Sequence, residues 1–129
     1  QLCLIAEMDG RVVGYNALTL AHIHGNPGLA LGPLGVIPAL QGQGIGSALV
    51  RESIRRAKEG NWPWIVLLGG SFYQRFGFEK AGEYGITVSE NAFENDHLQI
   101  RFLEESARGQ VSGKLRYCDA FYDGEGNLL

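Results

Sequence analysis

The chain has 129 residues, a formal net charge of -3, two cysteines and 45% hydrophobic content. That length suits one domain with a full core, residues 1–129. The acidic balance argues against a nucleic-acid partner, which needs a basic face, and no apolar run reaches the roughly 18 residues of a membrane span. Cys3 and Cys118 match neither a disulfide framework nor a zinc spacing, so they read as thiols in a reducing compartment. No metal site is expected, no leader pattern is visible, and the cytoplasm is the expected location.

In chain order, "LCLIAEM", "DG" and "RVVGYNALTLA" predict two strands joined by a tight turn, because glycine after aspartate accepts positive φ. "GNPG" (25–28) predicts a loop. The continuous apolar run "LALGPLGVI" (29–37) predicts a strand covered on both faces, ended by Pro38. From Ile45 to Glu59 the period becomes helical, with Ile45, Leu49, Val50, Ile54 and Ala57 on one face. Gly60-Asn61 and Pro63 stop that helix, and "WIVLL" (64–68) predicts another buried strand. The strand–helix–strand run over 29–68 predicts a parallel pair with a right-handed crossover. A short helix with Ser71 as N-cap is expected within 69–82, and strands over 97–103 and 114–122.

The densest signal is "PLGVIPALQGQGIGSALV", which sets Gly42, Gly44 and Gly46 between a strand and a helix N-terminus. Unpaired N–H groups and the helix dipole make such a junction an anion site, and glycine lets a phosphate approach the backbone closely. No lysine follows Gly46, so the nucleoside-triphosphate loop does not fit. The spacing G-x-G-x-G and the missing acid after "WIVLL" fit a dinucleotide site poorly.

The pattern Gln41-x-x-Gly44-x-Gly46 resembles the acyl-CoA motif of the GCN5-related N-acetyltransferase (GNAT) superfamily, and "FYQRFGF" resembles its next conserved element. The resemblance is specific over roughly residues 29–82. It implies an α/β (α+β) fold with a mixed, centrally splayed sheet and helices on both faces. Because the chain opens inside a strand-like run without methionine, it is expected to lack the family's first strand and N-terminal helices.

Acetyl-CoA is the cosubstrate that the resemblance implies, and an amine, small-molecule or peptide, is the acceptor. Main-chain groups of Leu34, Gly35 and Val36 would hold the pantetheine arm. Gln41, Gly42 and the amides of Gln43, Gly44, Ile45, Gly46 and Ser47 would surround the pyrophosphate. Tyr73 matches the family position that faces the sulfur and is the expected acid for the leaving thiolate, with the Val36 N–H as oxyanion donor. Relatives often dimerise, so a homodimer is an implied assembly.

Some relatives carry a carboxylate on the central strand, and residues 29–36 hold none. Glu7, His22, His24, Asp96 and His97 remain candidate bases, beside a water-mediated route. His22 and His24 alternate like a metal pair but lack a third ligand. Arg51, Arg75 and Lys80 are the cations nearest in sequence for the adenosine 3′-phosphate. The alternative function, a module that binds acyl-CoA or another diphosphate without chemistry, rests on the missing carboxylate.

Overall fold

The computed structural model describes residues 2–8, 10–36, 41–42, 44–89 and 92–117. The first apolar run forms β1 (Leu2–Met8), which pairs antiparallel with β2 (Arg11–Ile23). β3 (Asn26–Val36) follows β2 directly. The loop expected over 25–28 is therefore absent. His24 (φ 47°) and Gly25 (φ 84°) alone make the turn, and Asn26, Pro27 and Gly28 pair with Ile23, His22 and Ala21. Two successive positive-φ residues match the twist of a hairpin, which is why so short a connection suffices. His24 thus sits in a turn, and the His22/His24 alternation ends with the strand.

Helix α1 (Ile45–Glu59) covers the predicted span and leads into β4 (Trp64–Leu68). A 3₁₀ turn (Ser71–Phe76) comes next. Gly70 rather than Ser71 precedes it as N-cap, and no side chain caps it. The short pieces β5 (Glu79–Lys80), β6 (Ile86–Thr87) and α2 (Ala92–His97) then precede β7 (Leu98–Phe102) and β8 (Gly113–Tyr117). The rest of the strand expected to 122, with Cys118, lies outside the described residues. Among those described, no helix is long and apolar enough to cross a membrane.

The sheet runs β5-β7-β4-β3-β2-β8-β6, with β1 also on β2. β1 and β8 share one edge of β2, β1 along Arg11–Leu18 and β8 along Ala21–Ile23. β3 and β4 are parallel, as the crossover requires. β4 is buried on both faces by alternation: Ile65 and Leu67 pack toward α1, Trp64 and Val66 toward the opposite side. On the α1 side, Val50, Ile54 and Ala57 meet Leu18, Leu29, Leu31, Phe76 and Phe78. On the other, Ala81, Ile86, Val88, Ala107 and Val111 close over Leu98, Ile100 and Phe102.

Two devices set α1 on the sheet. A Cβ at Gly14 would lie 3.0–3.1 Å from Ile45 Cγ2, Leu49 Cδ1 and the Gly35 carbonyl, so the bare backbone there admits the first turns of the helix. Beside it, the buried Asn16 amide donates to Ser53 Oγ (2.6 Å), and Ser53 Oγ donates to the Leu49 carbonyl (2.8 Å). This polar link across an apolar interface fixes the helix at one height on β2.

On the opposite face, Glu79 accepts from Tyr84 Oη (2.7 Å) and pairs with Arg108, whose guanidinium stacks 5.1 Å from the Phe102 ring centroid. Burial alone would raise the Glu79 carboxyl, but these hydrogen bonds hold it below the ordinary carboxylate range. A carboxyl depressed in the folded state adds stability that is present above its unfolded pKa and lost as pH falls through the folded one. The midpoint of urea unfolding should therefore drop below about pH 4, and Glu79→Gln should flatten that drop. Gly28 offers a steric test. A Cβ there would stand 2.3 Å from Trp64 ring carbons, so Gly28→Ala should lower unfolding free energy by about 1–3 kcal/mol.

Candidate functional site

The parallel contact of β3 with β4 is short. Only Leu29↔Ile65 and Ala30↔Val66 pair, although β3 continues to Val36 and β4 to Leu68. The cause lies in the other edge of β3. Asn16 pairs with Leu34 and Leu18 with Leu31, so Gly32 and Pro33 together oppose the single residue Ala17. This bulge, with Gly32 at φ 151°, bends β3 away from β4. From Leu31 to Val36 the edge of β3 facing β4 has no strand partner among the described residues. An open edge of main-chain donors and acceptors is a template for an extended ligand.

The end of that edge meets the N-terminus of α1. Gly44 stands at the N-cap with φ 85°, a left-handed conformation that glycine adopts without strain, and its carbonyl receives the Ala48 N–H at 3.0 Å. No side chain caps the helix and its first turn holds no acid. The early N–H groups thus point outward under the positive end of the dipole. A Cβ at Gly46 would make only ordinary contacts, 3.7 Å to Phe72 and 3.8 Å to Val36, so the protein itself does not demand glycine there. Gln41 Nε2 donates to the Val36 carbonyl (3.2 Å) and ties the loop back to the end of β3.

Val36, Gln41, Gly42, Gly44, Gly46 and Ser47 line one cleft of about 450 Å3, closed by Phe72 and Arg75. Six of the expected binding residues are thereby brought together. Leu34 and Gly35 lie upstream on the open edge, Ile45 begins α1, and Gln43 is outside the described residues. Phe72 is half-buried: it lines the cleft wall and packs against the core cluster that holds Phe76 and Phe78.

Tyr73 stands beside this cleft, not in its wall. Its half-buried ring lies edge-on to Phe72 (centroids 5.1 Å) and Phe78 (6.1 Å) and close against Gly69, where a Cβ would be 2.5 Å from Cε2. Burial pushes its phenol above the usual tyrosine value, so the proton is retained through neutral pH. The segment carrying it is anchored by Gln99, whose buried amide donates to the Gly69 (2.8 Å) and Gly70 (2.9 Å) carbonyls. Sequence reasoning passed over Gln99. The available signal was an amide inside the apolar alternation "LQIRF".

Among the candidate bases, Glu7 is exposed on β1, His22 lies on β2 and His24 in its turn. Asp96 and His97 end α2 and share a separate recess with Gly69, Gly70, Ser71 and Lys80. Lys80 is therefore apart from Arg51 and Arg75, which meet at another recess.

Comparison with known proteins identifies this geometry. A family model described as an acetyltransferase (GNAT) domain matches residues 1–80. The uncharacterised N-acetyltransferase YhbS of Escherichia coli is 31% identical over 128 residues, covering 93% of this chain and 74% of YhbS. A crystal structure of Escherichia coli YhbS in complex with CoA superposes with a TM-score of 0.86 at 29% identity, over 92% of this chain and 68% of that one. A GNAT acetyltransferase from Brucella melitensis in complex with acetyl-CoA gives 0.70 at 31% identity, over 92% and 67%. The splayed sheet, the uncapped helix and these matches agree: the chain belongs to the GNAT family of acetyl-CoA-dependent N-acetyltransferases.

Proposed function

We propose that the cleft at the start of α1 takes the diphosphate of acetyl-CoA and that the pantetheine arm runs along the open edge of β3. The observation that carries this reading is the junction itself, an uncapped helix N-terminus that shares one cleft with the end of a strand edge lacking a strand partner among the described residues. The amides of residues 44–47 bind the diphosphate oxygens, with Gln43 completing the loop. Gly44 supplies the left-handed turn that aims them, and Gln41 keeps the loop against Val36. Main-chain groups of Leu34, Gly35 and Val36 extend the sheet onto the arm and direct the thioester toward the gap beside β4.

The acceptor is an amine, small-molecule or peptide, that attacks the thioester carbonyl directly. The nitrogen forms the new C–N bond, the oxyanion is held by the Val36 N–H, and the C–S bond breaks. The amine must arrive neutral, since an alkyl ammonium titrates at about 10. Tyr73 then gives its proton to the thiolate, CoA leaves as the thiol, and the proton shed by the acylated nitrogen passes through water to restore the Tyr73 phenol. The burial that keeps this phenol protonated supports the role. Its place at the end of β4, on the 3₁₀ turn that also supplies Phe72 and Arg75 to the cleft, supports it too.

Replacing Tyr73 with phenylalanine should lower kcat about 10²–10⁴-fold with little change in acetyl-CoA affinity. CoA-thiol release with a working amine, followed across pH, checks this; an unchanged rate would remove Tyr73 from the mechanism. Gly44→Ala should cost about 1–2 kcal/mol by forcing a side chain into the left-handed region. Calorimetry should show it weakening acetyl-CoA about tenfold, and an unaltered Kd would contradict the role given to this loop.

A further inference from the structure

The two faces of the sheet differ where β3 leaves β4. One face is filled by α1 and the 3₁₀ turn. Asn16 reaches Ser53 there, a Cβ at Gly46 would lie 3.8 Å from Val36, and Phe72 and Tyr73 join the cluster around Val50 and Leu67. On the other face Ile5, Tyr15 and Leu68 are 57%, 48% and 41% exposed. Their common side follows from strand alternation. Tyr15 lies between Gly14 and Asn16, which both face α1, and Ile5 is its cross-strand partner. Leu68 follows Leu67, which faces α1, and pairs with Leu98 of the opposite cluster.

On this second face the open segment of β3 is bare. Gly35 pairs with Tyr15, and a Cβ there would stand 2.8 Å from Tyr15 Cε1 and 3.1 Å from Cζ, so the ring leans from β2 onto the β3 main chain. Two residues beyond the Ala30↔Val66 pair, Gly32 and Leu68 count level across the gap. A Cβ at Gly32 would meet nothing within 4 Å. Two glycines thus floor a shallow groove with an aromatic wall on β2 and an aliphatic one on β4. Single apolar side chains on a surface need no explanation, but these flank both sides of the gap toward which the thioester is directed.

Carbonyl chemistry makes the choice of face matter. A carbonyl that accepts the Val36 N–H lies near the plane of the sheet edge, because the donor lies near the plane of the C=O. A nucleophile reaches the carbonyl carbon from above or below that plane. One side is taken by α1 and the 3₁₀ turn, which also brings Tyr73 to the leaving thiolate. The amine therefore comes over Tyr15 and Leu68.

We propose that the acceptor is an amine carrying an aromatic or aliphatic group a few bonds from its nitrogen, with that group packed on Tyr15 in this groove. The inference rests on the reading that the pantetheine arm runs along β3. Tyr15 is a specificity-determining residue: its ring touches the acceptor and takes no part in proton transfer. Burying an apolar group against such walls favours it about tenfold to hundredfold over a hydroxyl-bearing amine, which gains nothing from them.

Calorimetry of the full chain saturated with CoA, titrated with 2-phenylethylamine and with ethanolamine, tests the proposal. The two amines are of similar basicity and differ in the group they carry. Phenylethylamine should bind at least about tenfold more tightly. Tyr15→Ala should bring the two Kd values together by weakening phenylethylamine, and Tyr15→Phe should keep the preference. Equal affinities in the unaltered protein, or binding of neither amine, would overturn this inference and leave the CoA reading standing. A Tyr15→Ala variant that keeps the preference while losing stability would show the face to be covered by protein, and would overturn it too. Failure of CoA itself to bind would remove the reading beneath, and this inference with it.

Discussion

The separation of β3 from β4 is the constraint on which the molecule depends. Two parallel strands that stayed paired to their ends would satisfy one another and leave no room for a ligand. Here the ladder stops after Ala30↔Val66 because two residues of β3, Gly32 and Pro33, oppose one of β2. Once that bulge turns the strand, its outer edge carries main-chain groups with no strand partner among the described residues. An extended, amide-bearing ligand is the natural complement of such an edge. The pantetheine arm of coenzyme A has that character.

An open strand edge alone would bind many things weakly. Specificity comes from where α1 begins. The bare backbone of Gly14 lets Ile45 and Leu49 settle close to β2, and the Asn16–Ser53–Leu49 chain of hydrogen bonds fixes the height of the helix. With the helix held there, its uncapped N-terminus opens at the end of β3, and Gly44 takes the left-handed turn between them. In the proposed reading the diphosphate and the arm are addressed by main chain, while side chains supply the differences. Phe72, Arg75 and Tyr73 all come from one 3₁₀ turn, whose preceding residues are pinned to Gln99 of β7.

Much of this was legible in the residues. The helix was read to its ends because Ile45, Leu49, Val50, Ile54 and Ala57 repeat at helical spacing before Gly60. The parallel pair followed from strand–helix–strand order, and the glycine junction from its composition. What was missed has a physical reason in each case. β5, β6 and α2 are too short to show a period. The turn at His24-Gly25 was hidden because histidine at positive φ has no strong sequence signature, whereas Asn-Pro-Gly resembles a loop. Ser53, Gln99 and Arg101 are polar residues whose partners come from distant strands and turns, so periodicity marks them only as interruptions.

The central claim is that main-chain nitrogens at the start of α1 and along the end of β3 meet coenzyme A. Amide resonances of the isotopically labelled protein, followed while CoA is added, test this most directly. The largest shifts should fall on Gly44, Ile45, Gly46, Ser47, Gly35 and Val36, with the amides of β8 nearly still. Shifts centred elsewhere, with those six unmoved at saturating ligand, would contradict the account.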